Sequence, residues 1–229
     1  MAQLEPRSTL SREKGSTFLR LLALVGVVSP ILCVLVFTFA GFLRPGYSAI
    51  HQVISDLGVG PNAWILNTDL IVSGLLLLTF AIGLYHWMRP VIDAKWLITG
   101  TILLGLSGAG VMNEGLFPET LPGDPSAHLH SMLHGIGLSV LFYALIIALL
   151  IIGWQLWKTP AWHRYGWYSV ITAFVTFGLL AIPHQIAANY QIAGLIERVQ
   201  VVEAFSWSVI MGSRLFTLER TRSKREEEE

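Results

Sequence analysis

The sequence predicts an all-α integral membrane protein. Its expected architecture is a six-transmembrane-helix bundle with both termini cytoplasmic and a short amphipathic helix in the first outer loop. Three observations predict it. Of 229 residues, 53% are hydrophobic and only 13% are charged, with a mean hydropathy of +0.60. Soluble domains carry about 25% charged residues. Uncharged apolar runs recur at the length of roughly 20 residues that a bilayer core demands. The basic residues fall on alternate connections between those runs.

Taken in order, the runs are Leu21 to Leu43, Trp64 to Trp87, Trp96 to Asn113, Leu133 to Trp157, Tyr165 to Pro183 and Glu197 to Phe216. The last is the weakest, because it contains Glu197, Arg198, Glu203 and Arg214. Lipid offers no hydrogen bonds to an open backbone, so such runs close into helices. They are too continuously apolar for alternating barrel strands. The first run exceeds a signal-peptide core and is followed by Arg44-Pro45 rather than a cleavage site, so it is expected to remain as a span. The organisation expected is a cytoplasmic segment over 1–17, a six-helix membrane domain over 18–217 and a charged cytoplasmic tail over 218–229.

The formal net charge is zero, from 15 basic and 15 acidic side chains. That balance argues against a nucleic-acid partner, which calls for a basic face. Twelve of the 15 basic residues precede the first run, follow the last, or sit in the 2–3 and 4–5 connections, and Arg214, at the inner end of the last run, makes thirteen on that side; Arg44 and Arg198 are the exceptions. The positive-inside rule therefore places both termini in the cytoplasm of a plasma (inner) membrane protein. Trp64, Trp87, Trp96, Trp154, Trp157, Trp162 and Trp167 cluster at the run ends, as headgroup-level anchors do. Thr101, Gly105 and Ala109 in the third run, and Gly135 and Ser139 in the fourth, recur at the four-residue spacing that lets helices approach closely. Ser29-Pro30 is expected to kink the first helix.

The outer side is polar. After Pro45-Gly46 turns the chain, Ile50, Val53, Ile54 and Leu57 follow helical spacing, which predicts the amphipathic helix, ended by Gly58. His51 and Ser55 would share a face of it, with Asp56 alongside. Asn67 and Asp69 open the second helix, and Asn113 and Glu114 close the third. His128, His130 and His134 open the fourth. His184 follows the fifth, and Glu197, Arg198, Gln200 and Glu203 open the sixth. Ionisable groups at membrane depth are costly and usually face a wet interior. Drawn from several helix ends, they point to one shared outward pocket; separate local pairs and caps are the competing reading. Within such a pocket Glu114, Asp56 and Glu203 are the candidate acid–base groups. His51, Ser55, Asp69, Asn113, His184 and Arg198 are the candidate ligand contacts.

His130 and His134 lie four apart on one helical face, the spacing of a two-histidine metal site. Zinc is the cofactor this would imply. It needs three protein ligands and an open position, to which His128, His51, His184 or a carboxylate would have to contribute. The competing reading is that the two histidines are polar anchors at the interface. Haem is disfavoured because His86 and His163 sit at cytoplasmic helix ends rather than mid-span. A serine nucleophile at Ser55 or Ser131 lacks a nucleophile-elbow pattern. Cys33, the single cysteine, lies in an apolar run and is expected to pack inertly.

Tyr47-Ser48-x-Ile50-x-x-x-Ile54-Ser55-Asp56-Leu57-Gly58, with Asn67 and with Leu116-Phe117-Pro118 before a histidine-started fourth helix, resembles an uncharacterised prokaryotic family of six predicted membrane helices. It is catalogued as domain of unknown function 998. The resemblance runs from the first helix through the fifth. In the family an aspartate often follows Phe-Pro after one residue, whereas here the run is Phe117-Pro118-Glu119-Thr120. The Ile-Ser-Asp segment is more distantly similar to the membrane family of autophagy modulators and glycolipid-anchor remodelling factors, and that likeness implies lipid handling. Three functions are then open. One is a binding protein for lipid headgroups or a small polar ligand, another a metal-dependent hydrolase or transferase acting on outer-leaflet lipid, and the third a transporter. The last is disfavoured by the absence of an internal repeat. The lipid bilayer is the one partner implied throughout; oligomeric state is open.

Overall fold

The computed structural model describes residues 6–120, 123–182, 189 and 191–228. Among them every regular element is helical. The six long helices are α1 (Pro6–Leu43), α2 (Ala63–Met88), α3 (Ala94–Leu116), α4 (Ala127–Trp157), α5 (His163–Leu180) and α6 (Ala193–Glu228). One-turn 3-10 segments occupy Ser55–Gly58 and Pro160–Trp162. The helices are apolar on both faces, as lipid contact on one side and packing on the other require. Phe42, Trp64 and Phe174 point outward at 86, 69 and 65% exposure, while Phe80, Trp207 and Leu149 are sealed inside.

Each helix packs on the next, and α6 returns to α1 and α5 to close the ring. The α5–α6 seam is the least extensive around that ring. The 2–3 and 4–5 connections are five residues each, so the helices they join run antiparallel, and Arg44 from the end of α1 and Arg198 from the start of α6 both bond the loop that leads into α2. The end of α1, the starts of α2, α4 and α6 and the end of α3 therefore share one end of the bundle. The basic connections lie at the other.

Five helices are long and apolar enough to cross a membrane: Thr17–Leu43 of α1, α2, α3, α4 and Ala193–Thr221 of α6. The chain is thus a multi-pass membrane-like helical protein. The division between strong and weak spans differs from the sequence expectation. The last run qualifies despite its charges, because it holds a membrane-length apolar stretch with no more than two of them. The fifth does not, because α5 is 18 residues long and begins with His163 and Arg164. The anticipated helix around Ile50–Leu57 is also different. Residues 44–54 form turns and bends, and only Ser55–Gly58 coils, as a 3-10 turn with Leu57 and Gly58 buried. Tertiary hydrogen bonds, described below, replace the helical ladder there. Helix α1 continues through Pro30, where Ser29 reaches across to the Ser73 carbonyl at 3.5 Å.

The expected small-residue stripe on α4 faces outward. A methyl group at Gly135 would meet nothing within 4 Å, and Ser139 is exposed. The close approach is made instead by Gly110 and Gly137, since a Gly110 methyl would fall 2.5 Å from the Leu141 nitrogen. Gly135 therefore keeps backbone freedom without serving packing. Gly135→Ala is expected to stabilise the protein by about 0.5–1 kcal/mol, read as a higher midpoint for unfolding in mixed detergent micelles. An unchanged or lower midpoint would show that Gly135 has a packing role.

Candidate functional site

The site is built on the end of α3. Glu114 and His134 are each 6% exposed, and His134 Nε2 stands 2.9 Å from Glu114 Oε2. The other imidazole nitrogen, Nδ1, donates to the Phe117 carbonyl at 3.3 Å. With that donor fixed, a single proton bridges Nε2 and Oε2. The second carboxylate oxygen, Oε1, is buried and has no hydrogen-bond partner. It fits because α4 carries Gly137 opposite: a methyl there would lie 2.3 Å from Oε1 and 2.4 Å from Asn113 Nδ2. Asn113 braces the same contact by donating to the Leu133 carbonyl at 2.7 Å.

The first outer loop forms the opposite wall. Arg44, just past α1, donates to three of its carbonyls: Asp56 at 3.4 Å, Leu57 at 3.2 Å and Pro61 at 2.8 Å. Tyr47 donates its hydroxyl proton to the Val53 carbonyl at 2.8 Å and accepts from Arg198. Arg198 also donates to the Gln52 carbonyl at 3.0 Å and stacks over Phe37 and Tyr47. Glu197 accepts from the Ile54 amide, and Leu195 N donates to the Ile50 carbonyl at 3.0 Å. Asn67 Nδ2 ties Gly58 to α2 at 3.1 Å. Arg44→Ala is expected to cost about 2 kcal/mol, since a cation holding several carbonyls is worth more than a neutral donor. Arg44→Lys should recover less than half, because an ammonium lacks the fork. Thermal unfolding and limited proteolysis across 55–61 would read this, and an unchanged cleavage pattern would count against the clamp.

Two adjoining cavities meet at this wall. The inner one, about 60 Å³, is lined by Glu114, His134, Ser55, Asn67 and Glu197 among apolar residues of α1, α2, α3, α4 and α6. The other, about 540 Å³, shares Ser55, His134, Leu138, Phe142 and Glu197 with it. It adds Glu119 and Gln200, and then Tyr143, Leu179, Leu180 and Ile182 between α4, α5 and α6. Gln200 is 7% exposed and its amide nitrogen has no partner. The polar wall therefore grades into helix flanks that face outward; Tyr143 is 51% exposed.

Of the residues expected from sequence, Glu114, His134 and Ser55 come together at the cavities, with Asn113 as a brace. Arg198 stands behind the wall and holds the loop. Asp56 lies half-buried on the loop outside both cavities; burial pushes its carboxyl above the ordinary range, and the Glu119 charge adds to that. Burial likewise raises the Tyr47 phenol, against the Arg198 hydrogen bond.

Others do not converge. Glu203 accepts from the Thr176 hydroxyl at 2.7 Å across the α5–α6 seam, away from both cavities, so its depth reflects a helix contact. Exposed His51 bonds the Gln191 carbonyl through Nδ1; without a helix it no longer shares a face with Ser55. Asp69 lies deeper, beside Cys33 and Ser73. His184 lies outside the described residues. His130 and His134 do face the same loop, but each spends Nδ1 on a carbonyl, His130 on Pro118 at 3.0 Å. The remaining nitrogen of His134 is taken by Glu114, so that ring has no free lone pair for a metal. Among the described residues no three His, Cys, Asp or Glu side chains gather as a metal ion would require.

Glu197 and Gln200 stand among the outer polar groups expected at a shared pocket but not among the expected ligand contacts or acid–base groups, and Gly137 is not expected there. The signal for the first two was present, since they are three apart and so share one face of α6. Nothing local marks Gly137, whose role depends on what stands opposite.

Neither a curated protein nor a solved structure matches the chain. The model of the family described as Protein of unknown function (DUF998) matches residues 27–214, from within α1 to within α6, and the chain belongs to that family.

Proposed function

We propose that the protein binds one amphipathic molecule of lipid type, drawn sideways from the outer half of a bilayer, and holds its polar end against Glu114, His134 and Glu197. One observation carries this reading: the 540 Å³ cavity whose wall passes from buried polar groups to the outward-facing flanks of α4, α5 and α6. A small soluble ligand has no use for the apolar half of that wall. A wholly apolar one would leave the carboxylates and Gln200 unsatisfied, at a cost of roughly 1–3 kcal/mol for each buried polar group. Ligand sites of this size are mainly apolar with a few placed polar groups. The seam where the cavity opens is the least extensive in the ring. The basic residues at the opposite end support a plasma-membrane protein with both termini in the cytoplasm and all six helices across the bilayer.

Photocrosslinking tests this. The full chain is reconstituted in bilayers carrying a phospholipid with a diazirine on one acyl chain. Labels should concentrate on the facing segments of α4 and α5 around Tyr143 and Leu179. Ser139→Trp should abolish most of that labelling. Ser139 lines the opening, and its hydroxyl bonds only its own helix, to Gly135 O at 2.8 Å, so the change spares the fold. Labelling spread evenly around the bundle and indifferent to Ser139→Trp would sink the proposal.

A further inference from the structure

We infer that the polar end of this occupant is a protonated amine. The inference rests on the binding reading above and narrows it to one headgroup chemistry. The two cavities are lined by three carboxylates, Glu114, Glu119 and Glu197, and by one imidazole, His134. None of the described residues lining them is a lysine or arginine. The two nearby guanidinium groups are committed elsewhere. Arg44 holds three loop carbonyls, and Arg198 holds the Gln52 and Gly194 carbonyls and the Tyr47 hydroxyl.

Charge count alone would be weak, but two buried atoms without partners point the same way. Glu114 Oε1 is a lone acceptor on a side chain 6% exposed, lining the inner cavity. His134 neutralises at most one carboxylate, through the other oxygen. A buried carboxylate oxygen calls for a donor, best a charged one, because such hydrogen bonds are about twice as strong as neutral ones. Gln200 offers the complement: an amide donor, 7% exposed and unpartnered, on the larger cavity. An ammonium against Glu114 and Glu197, followed along the molecule by an acceptor oxygen within reach of Gln200, satisfies both. His134 offsets one of the three carboxylates, and an anionic headgroup would meet the other two with no lysine or arginine among the described lining residues to offset them. A free fatty acid or a phosphate monoester is therefore the wrong occupant.

Calorimetric titration of the full-length protein in maltoside micelles tests the headgroup directly. The probes are dodecylamine, dodecanol and dodecanoic acid, which share one chain. Dodecylammonium should bind at one site about tenfold tighter than dodecanol, the ratio equivalent to ~1.4 kcal/mol, and dodecanoate weakest. Glu114→Gln should erase most of that preference, so that dodecylammonium and dodecanol bind with closely similar affinity. The surface change Glu119→Gln, which touches no side-chain hydrogen bond among the described residues, should reduce it by about twofold, as expected of a screened charge. The headgroup series on the unaltered protein decides even where Glu114→Gln fails to fold. Equal binding of all three probes would overturn the amine inference and leave the lateral-binding reading standing. Tighter binding of dodecanoate would also overturn it. Binding of none would overturn both. Retention of phosphatidylethanolamine over phosphatidylcholine from mixed bilayers would identify the source as a membrane lipid, whereas binding of dodecylamine alone would identify a single-chain amine.

Discussion

His134→Ala is expected to cost about 3–5 kcal/mol of stability, the range measured when one partner of a buried ion pair is removed. The imidazole is the only side-chain partner of the Glu114 carboxylate among the described residues, at 2.9 Å, and the carboxylate is 6% exposed. Deleting the ring strands a buried charge without its partner, and it also frees the Phe117 carbonyl at the turn after α3. The double variant His134→Ala, Glu114→Gln should regain at least half of the loss, because an amide without a partner costs far less than a carboxylate. Unfolding midpoints in mixed micelles would measure both. If the double variant is no more stable than the single one, the loss comes from the cavity left by the ring rather than from the charge.

The second large effect is expected at Gly194→Ala. A methyl there would sit 2.0 Å from the Gln52 carbonyl oxygen and 2.7 Å from that of Ala49, and both are backbone atoms that no rotamer change relieves. Helix α6 must therefore back away from the first outer loop. The bonds between Leu195 and Ile50, Arg198 and Gln52, and Glu197 and Ile54 all cross that gap. Overpacking of this kind costs about 1–3 kcal/mol, and here it also dismantles one wall of the cavity. Lower stability should come together with loss of lipid crosslinking on α4 and α5. Gly178→Ala is the matched control, because a methyl there meets nothing within 4 Å. Retained crosslinking in Gly194→Ala would show that the loop is not part of the binding wall.

Much of the membrane character was legible in the chain, because bilayer thickness sets a length that apolar runs either reach or miss. The run ends at Leu43, Trp87 and Trp157 lie within a residue of the ends of α1, α2 and α4. Legibility failed where two criteria pull apart. Tyr165–Pro183 reads as apolar once its start is set past Arg164, yet the helix itself begins at His163. The spacing of Ile50, Val53, Ile54 and Leu57 is helical, but a side chain from Arg44, before the loop, and others from α6 hold these carbonyls and amides, so local periodicity loses to tertiary bonding.

The candidate site divides in the same way. Glu114 and His134 stood out because an ionisable group beside an apolar run is expensive, and expense is visible in a sequence. That they pair with each other was not, since 20 positions and a loop separate them. His130 and His134 had metal spacing, which placed them on one face but could not reveal that Pro118 and Phe117 carbonyls already occupy a nitrogen of each. Glu203 looked as unpaired as Glu114 until Thr176 of α5 appeared opposite it.

By itself, then, the sequence determined a helical membrane protein with a basic end and a carboxylate- and histidine-rich end, because solvation cost acts residue by residue. Only the tertiary structure decided which of those polar groups meet. It spends Glu203, His51 and Arg198 on structural bonds and leaves Glu114 Oε1 and Gln200 unsatisfied beside a cavity that opens between α4, α5 and α6. Partner choice depends on distances across helices, and no period within one helix encodes them.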